Sequence, residues 1–267
     1  MQVVRSTRHR YGDHKSQVGD LWLPANGGAA PGQGRGRVPV VVLIHGGYWR
    51  SMFTKTIMNR LAGAVVARGW AAWNIEYRRM GPLGGGGGWP TTLHDVGAAL
   101  DHVTRLAPVD AQRIVTCGHS AGGCLALWAA ARGRVAPDPS GSSPEVKPHA
   151  AISLAGVVDL ERGAELGLGG GAVVRFMGGS FEEHPDRYRS SSPAALLPLG
   201  IRQVLVHGLS DTVVPPSMSS DYERAARDAG DDARYVPVTG VGHRGLIDPA
   251  GPAWPVIAGH IEELLST

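Results

Sequence analysis

Five consecutive residues, Gly118-His119-Ser120-Ala121-Gly122, constrain this chain more than any others. They follow Arg113–Cys117, which reads as a strand, and lead directly into an apolar stretch through Trp128–Ala130, which reads as a helix. So tight a strand-to-helix turn leaves no room for side chains two positions before or after its centre. Glycine at 118 and 122 meets that demand. The central serine is then held in a strained backbone conformation, with its hydroxyl raised above the sheet. The N-terminus of the helix is aimed at any negative charge developing beside that hydroxyl.

Further strands are expected at Gln17–Leu23, Val40–Ile44, Ala71–Tyr77, Ala150–Val158, Gln203–Val206 and Ala233–Val238. Helical spacing appears at 54–68, Thr91–Leu106, 217–229 and Trp254–Leu265. Strands alternating with helices in this way predict an α/β fold, a mostly parallel central sheet with helices on both faces. Pro24–Pro39 and Pro137–Pro148 read as surface connections. Gly84–Gly88 reads as a surface loop, or as a loop bordering a pocket. No composition break divides the 267 residues, so 1–267 is expected to form one domain. The irregular, Gly-rich stretch 161–192 is expected to be a small cap or pocket wall.

Lys+Arg 26 against Asp+Glu 23 gives a net charge of only +3, and no basic block concentrates it, which argues against nucleic acid as a partner. The first residues lack an apolar signal region and no run reaches the length of a membrane span. A soluble, cytoplasmic protein is expected. The two cysteines, Cys117 and Cys124, are expected as buried, reduced thiols. Metal hydrolysis is disfavoured, since there is no H-E-x-x-H and the 11 histidines form no cluster at ligand spacing. Neither a Walker A motif nor a G-x-G-x-x-G turn after the first strand is present, so no nucleotide and no cofactor is expected.

A serine hydroxyl needs a base to become a nucleophile. His243 lies in the glycine loop Thr239–Gly245 after the last core strand and is the expected base. His207, at a strand end, reads as a rim residue. Asp211, just beyond Gln203–Val206, is the expected orienting acid, with Asp248 and Asp159 as alternatives. The order Ser120…Asp211…His243 is that of an α/β-hydrolase. His45-Gly46-Gly47-Tyr48-Trp49 follows the strand at 40–44, where small residues let the backbone approach a reacting carbonyl. The amides of Gly47, Tyr48 and Ala121 are the expected oxyanion donors. Trp49 and Trp89, with Tyr48, are candidate walls of a substrate pocket; core packing is the competing use of both tryptophans.

His45–Trp49 together with Gly118–Gly123 resembles the α/β-hydrolase superfamily, in the branch of hormone-sensitive-lipase-type carboxylesterases and eukaryotic-type kynurenine formamidases. The lipase-type branch usually has a third glycine where this chain has Tyr48, and the pair Tyr48-Trp49 is closer to the formamidase-like branch. Glu76-Tyr77-Arg78 also resembles the strand end that follows the oxyanion motif in these enzymes. The resemblance extends from about Tyr11 to Leu264. It implies Ser120, Asp211 and His243 as a triad, with Gly47, Tyr48 and Ala121 as oxyanion donors. The implied activity is cleavage of small or medium carboxylic esters through an acyl-enzyme, with no cofactor. Arylformamidase activity on N-formylkynurenine, and a catalytically silent binding protein, are the alternatives.

Overall fold

The computed structural model describes residues 6–25, 37–134 and 143–266; most of the two Pro-rich connections, at 26–36 and 135–142, lies outside them. Its strands are β1 (Ser6–Arg10), β2 (Val18–Trp22), β3 (Val38–Ile44), β4 (Ala71–Ile75), β5 (Val109–His119), β6 (Ala150–Leu154), β7 (Arg202–Gly208) and β8 (Ala233–Val238). They form one eight-stranded sheet in the order β1-β2-β4-β3-β5-β6-β7-β8. β1 and β2 join antiparallel, β2 pairs antiparallel with β4, and every later pairing is parallel. This is the expected α/β-hydrolase fold.

The strands that run as continuous apolar segments are those covered on both faces. In β3, Val38, Val40, Val42 and Ile44 pack into one layer, and Val41 and Leu43 into the other, as a period of two requires. One layer contains helices α1 (Asn59–Ala67) and α8 (Ala253–Leu265). The other contains α2 (Thr91–Asp101), α3 (Ala121–Ala131) and α7 (Ser217–Asp228). Every residue of α3 is buried, and its small Ala and Gly side chains let it lie close to β5 and β6.

Several features differ from expectation: β5 is longer than Arg113–Cys117, and β6 stops at Leu154, short of Val158. β1 is an additional strand; its exposed, polar sequence STRHR carries no apolar alternation to reveal it. Glu76 and Tyr77 lie beyond β4. The 161–192 stretch is largely helical, as α4 (Leu160–Glu165), α5 (Leu168–Met177) and α6 (Pro185–Ser191), although Gly169–Gly171 carry left-handed dihedrals. Among the described residues, no helix is long and apolar enough to cross a membrane.

Register decides where chemistry can gather. Ile44 of β3 pairs with Gly118 of β5, Gly118 with Ser153 of β6, and Leu154 with Val206 of β7. The strands therefore end along one edge, and the turns after β3, β5 and β7 meet there.

Candidate active site

At the end of β5 the chain enters α3 through Ser120 alone, whose φ of 55° and ψ of −122° are rare for a residue with a side chain. A Cβ at Gly118 would strike the carbonyl oxygen of Gly122, and one at Gly122 would strike the carbonyl oxygens of Ile44 and His45. Both glycines are thus required by backbone contact. The second contact also ties the start of α3 to the end of β3. Ser120 N–H is anchored on the Leu154 carbonyl at 2.8 Å.

Asp211 lies in the turn after β7 with its carboxylate fully buried. Oδ1 accepts the N–H groups of Val213 and Val214 at 2.7 and 3.0 Å. Oδ2 lies 2.6 Å from Nδ1 of His243 and 3.3 Å from Nε2 of His207. Burial opposes the charge, but the two imidazoles and two amides outweigh it and hold the carboxyl well below the usual carboxylate range. Nδ1–H of His243 donates to Asp211, which leaves Nε2 as the free nitrogen. His243 and Ser120 face one cavity of about 410 Å³. No hydrogen bond joins them among the described contacts; such pairs commonly close only around bound substrate.

His207 is no rim residue. It is fully buried, with Nε2–H directed at Asp211 and at the Val214 carbonyl (3.0 Å), while Nδ1 accepts from Ser219 Oγ at 2.8 Å. His119 donates from Nε2–H to the main-chain carbonyl of His243 at 3.0 Å, and its ring centroid lies 4.6 Å from that of His243. Burial pushes its pKa down to about 3, so it is a neutral prop under the His243 loop. Asp248 pairs instead with Arg60 at 3.1 Å, and Asp159 caps α4 through the Arg162 N–H.

Gly47, Tyr48 and Trp49 adopt positive φ in succession, and the Arg50 N–H closes the turn on the Gly47 carbonyl at 3.0 Å. Among the described residues, no protein acceptor takes the N–H of Gly47, Tyr48 or Ala121. A buried polar cluster holds this turn from below. His45 Nε2 meets Glu76 Oε1 at 2.8 Å, and the Tyr77 ring stacks on His45 with centroids 4.2 Å apart. Arg79 Nε reaches Glu76 at 3.1 Å, and Arg79 also donates to the carbonyls of Ser51 and Phe53. Arg78, the residue in the resemblance, turns away to Asp95 at 2.6 Å. The glycine run packs on the backbone of Arg78 and Arg79, so it supports this cluster and does not border the cavity.

The expectation of a tryptophan-walled pocket is corrected. Trp49 is fully buried and stacked on Phe176 at 4.2 Å, and Trp89 packs under the Arg187 guanidinium, 4.7 Å from the ring centroid. Tyr48, Phe53, Ile57 and Ile247 wall the cavity instead. Cys117 and Cys124 are buried free thiols, and burial pushes Cys117 up to about 12. Among the described residues, no three His, Cys, Asp or Glu side chains cluster to hold a metal ion.

A family model described as BD-FAE matches residues 29–225. This chain belongs to the BD-FAE family. BD-FAE is a family of α/β-hydrolase esterases. This BD-FAE member is 28% identical over 221 residues to Esterase LipQ of Mycobacterium tuberculosis (strain ATCC 25618 / H37Rv), a match that covers 79% of this chain and 50% of that protein. The chain spans about half the length of that curated relative. Among solved structures, a truncated carbohydrate esterase from gut microbiota superposes with a TM-score of 0.82 at 22% identity, covering 100% of this chain and 99% of the other. Esterase 2 of the Planctomycetes species Thermogutta terrifontis gives 0.75 at 21% identity, covering 97% and 91%. At these identities the structural likeness shows a shared fold.

Proposed function

We propose that this protein is a serine ester hydrolase acting on small or medium carboxylic esters, with Ser120 as nucleophile, His243 as base and Asp211 as orienting acid. The observation that carries this reading is the 2.6 Å contact of His243 Nδ1 with Asp211, on a histidine that shares its cavity with Ser120. Nε2 takes the Ser120 proton as Oγ bonds to the ester carbonyl carbon. The carbonyl oxygen becomes an oxyanion facing the N–H groups of Gly47, Tyr48 and Ala121. The C–O bond to the alcohol then breaks, and the alcohol leaves with the proton held by His243. Water gives a proton to the same nitrogen, attacks the acyl-enzyme and releases the acid, and the proton returns to Ser120.

Membership of an esterase family and the name of the LipQ relative support the ester as substrate. The structure of the Thermogutta terrifontis esterase phosphonylated by sarin supports a nucleophile of this kind on this fold. The cavity volume and its apolar wall suit small or medium substrates. In this reading the chain is one domain and 161–192 backs the cavity wall from behind Tyr48: Gly169 lies against the Tyr48 ring, and Arg50 donates to the Gly169 carbonyl.

The test combines a serine-directed fluorophosphonate with turnover of short p-nitrophenyl esters and of N-formylkynurenine. Labelling should vanish in S120A, and esters should be the better substrates. Folded protein that resists the probe would be a silent binding protein. A preference above about 100-fold for the formamide would make it an arylformamidase.

A further inference from the structure

Among the residues lining the cavity, Arg244 is the one with a permanent charge, since His119 is neutral and Asp211 is hidden behind His243. It follows His243 directly in the chain and is exposed. Its nearest acidic neighbour in sequence, Asp248, pairs with Arg60, and Asp211, beneath the adjacent His243, is engaged by the two histidines. No carboxylate pairs with Arg244 among the described residues. Several exposed arginines elsewhere, Arg68, Arg105, Arg162, Arg224 and Arg234, meet Asp or Glu, whereas Arg10 and Arg187 are satisfied by main-chain carbonyls. The larger open concavity between the starts of β7 and β8 shows the same balance, since its Arg227 and Arg234 face Glu223 and Glu263.

A second observation lies on the Tyr48 side. Arg50 and Arg175 both turn to the Gly169 carbonyl and not to a carboxylate, and the Arg50 guanidinium lies 5.9 Å from the centroid of the Tyr48 ring. Tyr48 is a wall of the cavity. Arg244 is therefore a guanidinium on the cavity wall with no carboxylate partner, and Arg50 lies behind Tyr48; the opposing charge at the site, the Asp211 carboxylate, is buried and already bound by two imidazoles. A guanidinium beside apolar surface is matched by a carboxylate, which it can bind through two parallel N–H bonds.

We propose that Arg244 selects esters that carry a carboxylate, binding that group while Ser120 attacks the ester carbonyl a few bonds away. This rests on the reading of Ser120 as the nucleophile. The substrate class is then a monoester of a dicarboxylic acid, or an ester whose alcohol bears the acid.

Two matched pairs of substrates test it, with the charge on opposite sides of the ester. Monoethyl adipate is compared with ethyl isooctanoate, and para-acetoxybenzoate with para-isopropylphenyl acetate; in each pair two methyls replace the carboxylate oxygens. The measured quantity is the charged-to-neutral ratio of kcat/KM, in the wild type, R244Q and R244K. In one pair the wild-type ratio should exceed that of R244Q by about tenfold, the usual worth of a charge-assisted hydrogen bond. R244K should keep part of the preference, and added salt should erode it. A ratio that is the same in wild type and R244Q for both pairs overturns the role of Arg244. Failure of every ester, with no fluorophosphonate labelling, overturns instead the hydrolase reading on which it rests.

Discussion

Gly122→Ala adds one methyl group where the start of α3 meets the end of β3. That Cβ would strike the carbonyl oxygens of Ile44 and His45, and both are backbone atoms that no rotamer change can move aside. To restore ordinary contact with the Ile44 oxygen, α3 and the β3 end must part by more than an ångström. The two elements carry the proposed oxyanion donors, Ala121 on one side and Gly47 with Tyr48 on the other. Misplacement of about 1 Å in such a site costs about 10²-fold in rate. Overpacking a closed contact costs about 1–3 kcal/mol in stability. The control is Gly259→Ala, the same chemical change at an exposed position of α8, where the new methyl meets open space. It should gain about 0.5–1 kcal/mol, because glycine inside a helix loses more backbone freedom on folding than alanine. Urea unfolding and kcat/KM on a short ester read both effects. Wild-type activity and stability in G122A would refute the steric argument. Equal damage from G259A would show that glycine content matters and not this contact.

His207→Phe removes the N–H shared by Asp211 and the Val214 carbonyl and leaves Ser219 Oγ facing an apolar ring. The expected cost is about 1–3 kcal/mol for each buried group left unpaired, with a lower kcat, and unchanged urea unfolding would contradict it. Glu76 titrates below its ordinary 4.5, burial opposing its charge while His45, Arg79 and the Lys55 amide outweigh burial. A depressed pKa contributes stability that is complete above the unfolded value and is lost as pH falls through the folded one. E76Q should therefore be less stable than wild type near neutral pH by about 1.5–3 kcal/mol. The gap should narrow as the pH drops below 4.5, and a constant gap would count against a charged Glu76. Trp49→Ala should cost about 3–5 kcal/mol, as loss of a fully buried ring does. Chain-length preference among esters should stay as it is, and a changed preference would return Trp49 to the pocket.

The parts legible from sequence are those governed by neighbours in the chain. The runs at Val40–Ile44, Ala150–Val158 and Gln203–Val206 announce strands because both of their faces are buried, although the second ends as a strand at Leu154, and the glycines around Ser120 follow from sterics within five residues. Other features depend on which distant segments the sheet order brings together. In the sequence, Asp211 stands out from Asp248 and Asp159 by its place just beyond a core strand and before His243, whereas in three dimensions a 2.6 Å contact with His243 separates it from both. The second imidazole on Asp211, the Glu76–Arg79 support beneath the Gly47–Tyr48 turn and the unneutralised Arg244 left no mark in spacing or periodicity. Trp49 stands beside Tyr48 in the chain, yet one faces the core and the other the cavity. Sequence determines local backbone shape and which strands are buried, because those depend on sterics and period. Burial, charge pairing and access to a cavity are set only when strands far apart in the chain become neighbours, so the tertiary structure alone decided them.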